Sequence, residues 1–255
     1  MNHFKINELL IYILKREYKV DKINDLLLSS LTKNEWEQVF NFASNQGVLA
    51  LTYDVLDKLK ISDNNPGIEI PGLLWIKWTL SVENIQNRYL RQREAIKELA
   101  LYFKKNGVDM ILMKGHDLSR YYDNPTHREC GDIDIFLPGN FDFGNKLIEN
   151  LGIEVKMEGL KHSNFTFKGI PVENHKTFLN ITASRTDTLI ELKLRDILNE
   201  FPCESINIDG VKIKVPPAEF TALFITRHNI YHFFNSGAVL KYLFDFSFFF
   251  NNKIS

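Results

Sequence analysis

The chain has 255 residues, with 31 Lys and Arg against 32 Asp and Glu, a net charge of −1, and 44% hydrophobic and 25% charged residues. That is the profile of a soluble globular protein able to bury a core, without the global basic excess that long nucleic acids select. Its 2 cysteines, Cys130 and Cys203, exclude a disulfide framework and a four-cysteine zinc centre and fit reduced thiols in the cytoplasm, and no run approaches the ~20 apolar residues of a membrane span.

Met1 to Lys19 mixes Lys, Arg and Glu with apolar residues at helical spacing, and lacks the apolar core and small-residue cleavage site of a signal peptide. Thr32-Lys-Asn-Glu35 reads as a capping box opening a helix, with Trp36, Val39, Phe40 and Ala43 at helical spacing behind it. Asp63-Asn-Asn-Pro-Gly67 has the chemistry of a loop. A long helix is expected after Pro71-Gly72, with Ile85, Tyr89, Ile96, Leu99 and Phe103 as its buried stripe. Lys104-Lys105 and Asn106-Gly107 supply its stop signal.

The texture changes at Val108. Val108 to Met113 reads as a short buried strand, His116 to Tyr122 as a short helix, Asp123-Asn-Pro-Thr126 as a turn and Asp132 to Leu137 as a strand. Phe143 to Leu151 is helical in pattern and ends at Gly152. Three strands follow, Ile153 to Met157, Ser163 to Phe167 and Ile170 to His175, the last two joined by a tight hairpin at Lys168-Gly169. Thr188 to Asn199 is a helical pattern, Ile206 to Val215 a hairpin turning at Asp209-Gly210, and Pro216-Pro217 opens another helix. The last helix, about Ala238 to Phe250, carries the apolar run Leu243 to Phe250, which either packs on the core or meets a protein partner. These elements divide the chain into an N-terminal helical region (1–106), a sheet-bearing core (107–200) and a hairpin with C-terminal helices (201–255). The fold class is α+β: a small mixed sheet flanked by helical regions at both ends.

Gly131-Asp132-Ile133-Asp134-Ile135 carries the strongest chemical signal. Strand side chains alternate, so Asp132 and Asp134 point one way and Ile133 and Ile135 the other. Two like charges held side by side repel, and a divalent cation relieves the repulsion. Carboxylate oxygens suit magnesium, which typically binds one or two of them together with substrate phosphates, so the motif points to metal-assisted phosphoryl or nucleotidyl chemistry. Glu173 and His175 share a face of the Ile170 to His175 strand. If that strand neighbours the Asp132 strand, three acids converge as two-metal nucleotidyl transfer requires. Glu191 is a rival third acid in a helical setting.

Lys114-Gly115 follows one strand and opens a helix. Free N–H groups there, close backbone approach at Gly115 and the Lys114 charge would seat a phosphate; the pair is otherwise an ordinary turn. Arg128 either grips a triphosphate in bidentate fashion or pairs with Asp132 or Asp134. His162 either contacts the nucleotide or is a surface histidine. His228 and His232 share a helix face at zinc-binding spacing, without the glutamate a metalloprotease needs and without an evident third ligand. Nucleophile-elbow, Walker A and dinucleotide fingerprints are absent from the sequence.

The ordered set Leu112-Met-Lys-Gly-His-Asp-Leu-Ser-Arg-Tyr-Tyr122, Arg128-Glu-Cys-Gly-Asp-Ile-Asp134 and Val172-Glu-Asn-His175 resembles an uncharacterised bacterial nucleotidyltransferase family of the polymerase-β-like superfamily. The helical part with Pro217-Ala-Glu-Phe220, His228, His232 and Leu240 to Asp245 also resembles that family, so that the resemblance covers roughly 30–250. It implies a minimal nucleotidyltransferase core and magnesium, two ions, on Asp132, Asp134 and Glu173. It further implies an NTP donor such as ATP, held by Lys114, Gly115, Arg128, His162 and His175. The reaction it implies is transfer of a nucleoside monophosphate to a hydroxyl of a small molecule, tRNA or protein, with release of pyrophosphate. The chain departs from the pattern in two places. Gly115-His116 stands where Gly-Ser is usual, and the third acid is Glu rather than Asp. The missing serine and the apolar C-terminal run keep a second reading in play, a catalytically weak nucleotide-binding or interaction module of toxin–antitoxin type. A phosphohydrolase using the same acids is a third.

Overall fold

The computed structural model of the chain describes residues 8–11, 13–14, 28–61, 67–182, 184–237 and 239–254. The expected helical stretch at Met1 to Lys19 lies outside them except for 8–11 and 13–14, which are helical and bury Leu9, Leu10, Ile13 and Leu14. Most of the expected loop at Asp63 to Gly67 also lies outside. The chain divides into two compact units. The first comprises Met1–Asn87, Thr126–Glu129 and Val239–Lys241; the second comprises Arg88–Pro125, Cys130–Ala238 and Tyr242–Ser255.

In the first unit, helix α1 (Lys33–Asn45) opens on the expected capping box. The Thr32 hydroxyl accepts from the Glu35 N–H, and the Glu35 carboxylate accepts from the Thr32 N–H at 2.8 Å, so two otherwise orphaned donors are satisfied reciprocally. Trp36, Val39, Phe40 and Ala43 form its buried stripe. Helix α2 (Leu49–Ile61) follows, and the 34-residue helix α3 (Gly72–Lys105) starts here. The Trp78 indole N–H donates to the Leu49 carbonyl at 3.1 Å and its ring meets Phe40 edge-on, which pins α3 against α1 and α2. His127 is held by Asp54 at 2.8 Å and Gln86 at 2.7 Å.

The second unit is built on one mixed sheet of seven strands in the order β3-β4-β5-β2-β1-β7-β6. The strands are β1 (Ile111–Met113), β2 (Ile133–Phe136), β3 (Lys156–Glu158), β4 (His162–Phe167), β5 (Ile170–His175), β6 (Glu204–Ile208) and β7 (Val211–Val215). Between β1 and β2 lies the five-residue helix α4 (Gly115–Ser119), and after β2 comes α5 (Phe141–Glu149). Helix α6 (Arg185–Glu200) precedes the β6–β7 hairpin, and α7 (Ala218–Ser236) and α8 (Leu240–Ile254) follow it. β2 pairs antiparallel with β1 and parallel with β5.

The α+β class with a mixed sheet and flanking helices is therefore the fold observed. Side-chain alternation sorts the sheet into two faces. One carries Leu112, Ile133, Ile135, Phe165, Val172, Ile213 and Val215, sealed by Ala95, Ile96, Leu99 and Phe103 of α3 and by Leu147 and Ile148 of α5. The other buries Ile111, Met113 and Phe136 under Leu194 and Ile197 of α6 and Phe220 and Phe224 of α7. A bidentate pair between Arg227 and Asp187, at 2.6 and 2.9 Å, ties α7 to α6. Helix α8 buries Phe249 and Asp245, the latter accepting from the Tyr122 hydroxyl at 2.7 Å, and leaves Leu243 and Phe246 exposed. No helix of the described residues is long and apolar enough to cross a membrane.

Partners set the strand ends. β1 is three residues rather than the expected Val108 to Met113 because the stretch of β2 facing it runs only from Phe136 to Asp134. Asp132 sits in a bend just before β2, not in the strand. β3 starts at Lys156 rather than Ile153, because it pairs where Asn164 to His162 present their ladder. Helix α5 meets β2's exit closely. A Cβ on Gly144 would lie 2.1 Å from Leu137 Cδ1, and Leu137 is 1% exposed. Gly144→Ala is expected to destabilise by about 1 kcal/mol, because overpacking at ~1–3 kcal/mol outweighs the ~1 kcal/mol of helix propensity gained. Urea unfolding of the purified variant measures this.

Candidate active site

Strand parity and register assemble the site on the face that α6 and α7 only partly cover. Asp134 of β2 faces Glu173 of β5 and Met113 of β1. His175 shares Glu173's side of β5 and lies opposite His162 of β4, while Asn164 lies opposite Glu173. The Lys168-Gly169 turn has both residues at positive φ (51° and 76°), as a two-residue hairpin requires, and so fixes that register. Asp132, Asp134 and Glu173 each present a carboxylate oxygen, all within 4.8 Å of one another. The three acids therefore lie together, contributed by two parallel strands and the bend that precedes one of them.

Asp134 is 3% exposed. The Lys114 ammonium donates to its Oδ1 at 2.7 Å, and His175 Nε2 lies 2.9 Å from the same oxygen. Burial alone would raise the Asp134 pKa; the Lys114 charge and the His175 contact outweigh it and hold the carboxyl well below the usual range. The Lys114 pKa is raised: burial works against its charge, and Asp134 more than compensates. Asp132 shifts the other way. Burial, then repulsion from Asp134 and Glu173, raises its pKa. Glu173 is lowered, with burial opposed chiefly by its contact with His175, at 3.3 Å. Side by side, then, one acid is firmly ionised and another is strained by carrying its charge.

Lys114 is also strained in its backbone, at φ 49° and ψ −120°, a conformation that favours glycine. Such strain at a strand-to-helix turn is typical of functional sites. The helix that Gly115 opens is shorter than the expected His116 to Tyr122, so its macrodipole is small. A phosphate there would rest on free N–H groups and nearby cations rather than on a helix field. His116 is 5% exposed, with Nε2 3.3 Å from Gln92 Oε1 and its ring packed on Tyr89.

His162 is 8% exposed, not a surface histidine, and its Nε2 lies 3.7 Å from Glu173 and 3.4 Å from Glu158. Arg128 is buried in the Thr126–Glu129 segment of the first unit. Glu191 lies apart from the acids: it accepts from the Phe178 and Leu179 N–H groups and pairs with Arg195, a loop anchor. His228 and His232 stack against each other and on Tyr242, and no third ligand gathers with them among the described residues. Burial, then the Lys114 charge, depresses the His228 pKa, so it is a neutral ring in the Lys114 neighbourhood.

Two features lay beyond the sequence reading. Lys161, just before β4, is half-buried; burial, then Lys114, lowers its pKa, while the charges of Glu173, Asp134 and Asp132 work the other way, so it lies within the field of the acids. The other is a cavity of about 500 Å³ that opens beside Asp132 and Glu173 and is lined also by Asn164, Thr166, Glu154 and Lys156.

The carboxylate set fits a hard cation. Octahedral magnesium at ~2.0–2.1 Å spaces its ligand atoms about 3–4 Å apart, and one oxygen from each of the three acids lies within 4.8 Å of the others. The Lys114 ammonium already neutralises one of them.

Solved structures similar to the chain include antibiotic-resistance factor ANT(2'')-Ia in solution, with a TM-score of 0.45 and 13% identity over 64% of this chain and 84% of that one. They also include ANT(2'')-Ia in complex with adenylyl-2''-tobramycin, at 0.45 and 14% over 64% and 89%. A third is an antigenic nucleotidyltransferase-like protein from Paracoccidioides brasiliensis, at 0.42 and 13% over 63% and 75%. No curated protein matches the sequence significantly. The family model described as uncharacterised nucleotidyltransferase matches residues 32–254, and the chain belongs to that family.

Proposed function

We propose that this nucleotidyltransferase moves a nucleoside monophosphate from an NTP to a hydroxyl acceptor, with Asp132, Asp134 and Glu173 holding divalent magnesium. The convergence of the three carboxylates beside Lys114 carries the reading. Bound there, magnesium would supply charge neutralisation on the phosphoryl oxygens and acidify the attacking hydroxyl. Glu173, more accessible than Asp134 at 23% against 3% side-chain exposure, accepts the hydroxyl proton. The acceptor oxygen forms a bond to the α-phosphorus, the bond from that phosphorus to the α–β bridging oxygen breaks, and pyrophosphate leaves with the electron pair. Lys161 and Lys114 supply positive charge to the triphosphate, aided by the Gly115 N–H. His175 orients Asp134 and Glu173, and His162 orients Glu173. The acceptor, a small molecule, tRNA or protein side chain, enters the cavity beside Asp132.

Incubation with α-labelled NTPs, magnesium and a cell extract fractionated into small molecules, RNA and protein tests the assignment. Label is expected in one fraction with matching pyrophosphate. Lys161→Met should raise KM for the NTP roughly 10-fold or more, the worth of a charge-assisted hydrogen bond, with a smaller change in kcat. Phosphate instead of pyrophosphate would indicate hydrolysis. Nucleotide binding with no labelled product would favour a non-catalytic module, the reading that the buried His116 at the phosphate turn favours.

A further inference from the structure

The β4–β5 hairpin assembles a second ligand set that overlaps the carboxylate set at Glu173. Its turn locks His162 opposite His175, with ring centroids 5.4 Å apart, and Glu173 projects from the same face two residues before His175. One ligand atom from each of the three lies within 4.8 Å of the others. The closest approaches are 3.3 Å from His175 Nε2 to Glu173 Oε2 and 3.7 Å from His162 Nε2 to Glu173 Oε1. These two contacts use different Glu173 oxygens; a tetrahedral ion with bonds of ~2.0–2.1 Å places its ligand atoms about 3.4 Å apart, so one atom from each residue, now within 4.8 Å, draws in around it.

Two further observations point to a cation. His175 Nδ1 lies 3.3 Å from the Thr177 carbonyl, the backbone anchor that ligating histidines commonly use for their other ring nitrogen. His175 Nε2 lies 2.9 Å from Asp134 Oδ1 and 3.3 Å from Glu173 Oε2, a position that a proton on Nε2 fills in the metal-free chain and that a cation takes over when the ring proton sits on Nδ1. Nδ1 of His162 is buried without a hydrogen-bond partner. Only Nε2 is seated, by its 3.4 Å contact with Glu158, and a buried polar group left unsatisfied often marks an ion or water site. The ring's Nε2 faces only carboxylates, Glu158 at 3.4 Å and Glu173.

We propose that His162, Glu173 and His175 form a second cation site, for a divalent transition metal of the zinc class rather than magnesium. Imidazole suits zinc, cobalt and nickel, whereas magnesium selects oxygen ligands. Three protein ligands leave a coordination position open to water or a substrate oxygen. The inference rests on the proposed function only in sharing Glu173.

Cobalt(II) titration of the full-length chain, followed by its visible absorption, tests the site without any assay of turnover. One cobalt per chain is expected, retained in a large excess of magnesium and displaced by zinc. His162→Gln should weaken cobalt binding roughly 100-fold, the share of one ligand in a structural-type site, and Asp132→Asn should leave the bands in place. Bands that survive His162→Gln but vanish in Asp132→Asn would put the metal on the three carboxylates and overturn the inference while sparing the proposed function. Should His162→Gln fail to fold, nitrogen-15 NMR of the wild-type histidine rings decides: zinc must shift the ring nitrogens of His162 and His175, and unchanged resonances overturn it. A cobalt site in a chain that transfers no nucleotide would leave this inference standing and remove the proposed function.

Discussion

Asp134→Ala is expected to lower the melting temperature by roughly 6–20 °C and to abolish nucleotidyl transfer. Two donors, Lys114 and His175, converge on one Asp134 oxygen within 2.9 Å, and the side chain is almost inaccessible. Truncation leaves the Lys114 ammonium half-buried with its nearest counter-ion gone. Breaking a buried pair in this way costs about 3–5 kcal/mol, and at this chain length each kcal/mol is worth about 2–4 °C. The variant Lys114→Met/Asp134→Ala, which removes both charges, should recover a large part of the loss, so a double-mutant cycle reads the coupling directly. The pH dependence has a definite sign. The folded-state pKa of Asp134 is depressed, so its contribution is complete above the unfolded value of ~3.9 and is lost as pH falls from there toward the folded value. Wild type should therefore lose stability below about pH 4 more steeply than Asp134→Ala. A melting temperature within a degree of wild type would show that the Lys114–Asp134 contact is inconsequential.

The convergence of the acids was legible because it rests on parity. Alternate residues of a strand share a face, so Asp134, and Glu173 with His175, could be placed once β2 and β5 were taken as neighbours. The His162–His175 pairing was also within reach. Lys168-Gly169 reads as a tight two-residue turn, and counting back from Phe167 and Ile170 puts His162 against His175, as the ladder has it. Contacts that depend on the path between elements were not legible. Lys161 reaches the acids from a turn whose course is set by where β3 finds its partner, and β3 begins three residues later than its hydrophobicity suggested. Lys114 reads as a free phosphate ligand until the β1–β2 register sets Met113 opposite Asp134 and brings the next residue's ammonium onto that carboxylate. Glu191 shows the converse. An acid in a helix looks available, yet two loop N–H groups and Arg195 occupy it.

Asp132→Asn should separate stability from function in a way that Asp134 cannot. Asp132 lies in the bend before β2, where burial, then Asp134 and Glu173, makes its charge unfavourable. An acid whose folded-state pKa is raised gives stability as pH falls through that value and withholds it at neutral pH, the reverse of Asp134. Asparagine keeps the shape and removes the charge. Without divalent metal the variant should therefore melt a few degrees above wild type, at about 2–4 °C per kcal/mol relieved, while transfer falls by about 10²–10³-fold or more, the usual cost of deleting one group that stabilises transition-state charge. Magnesium should then reverse the order. Ligand binding to the folded state stabilises in proportion to affinity, so wild type should gain on titration with magnesium and the variant little, and the two melting curves should cross. A variant less stable than wild type in the absence of metal would mean that Asp132 contributes to the fold. One that gained as much as wild type from magnesium would remove Asp132 from the cation site, and with it the reason for three carboxylates to be held together at the edge of an apolar core.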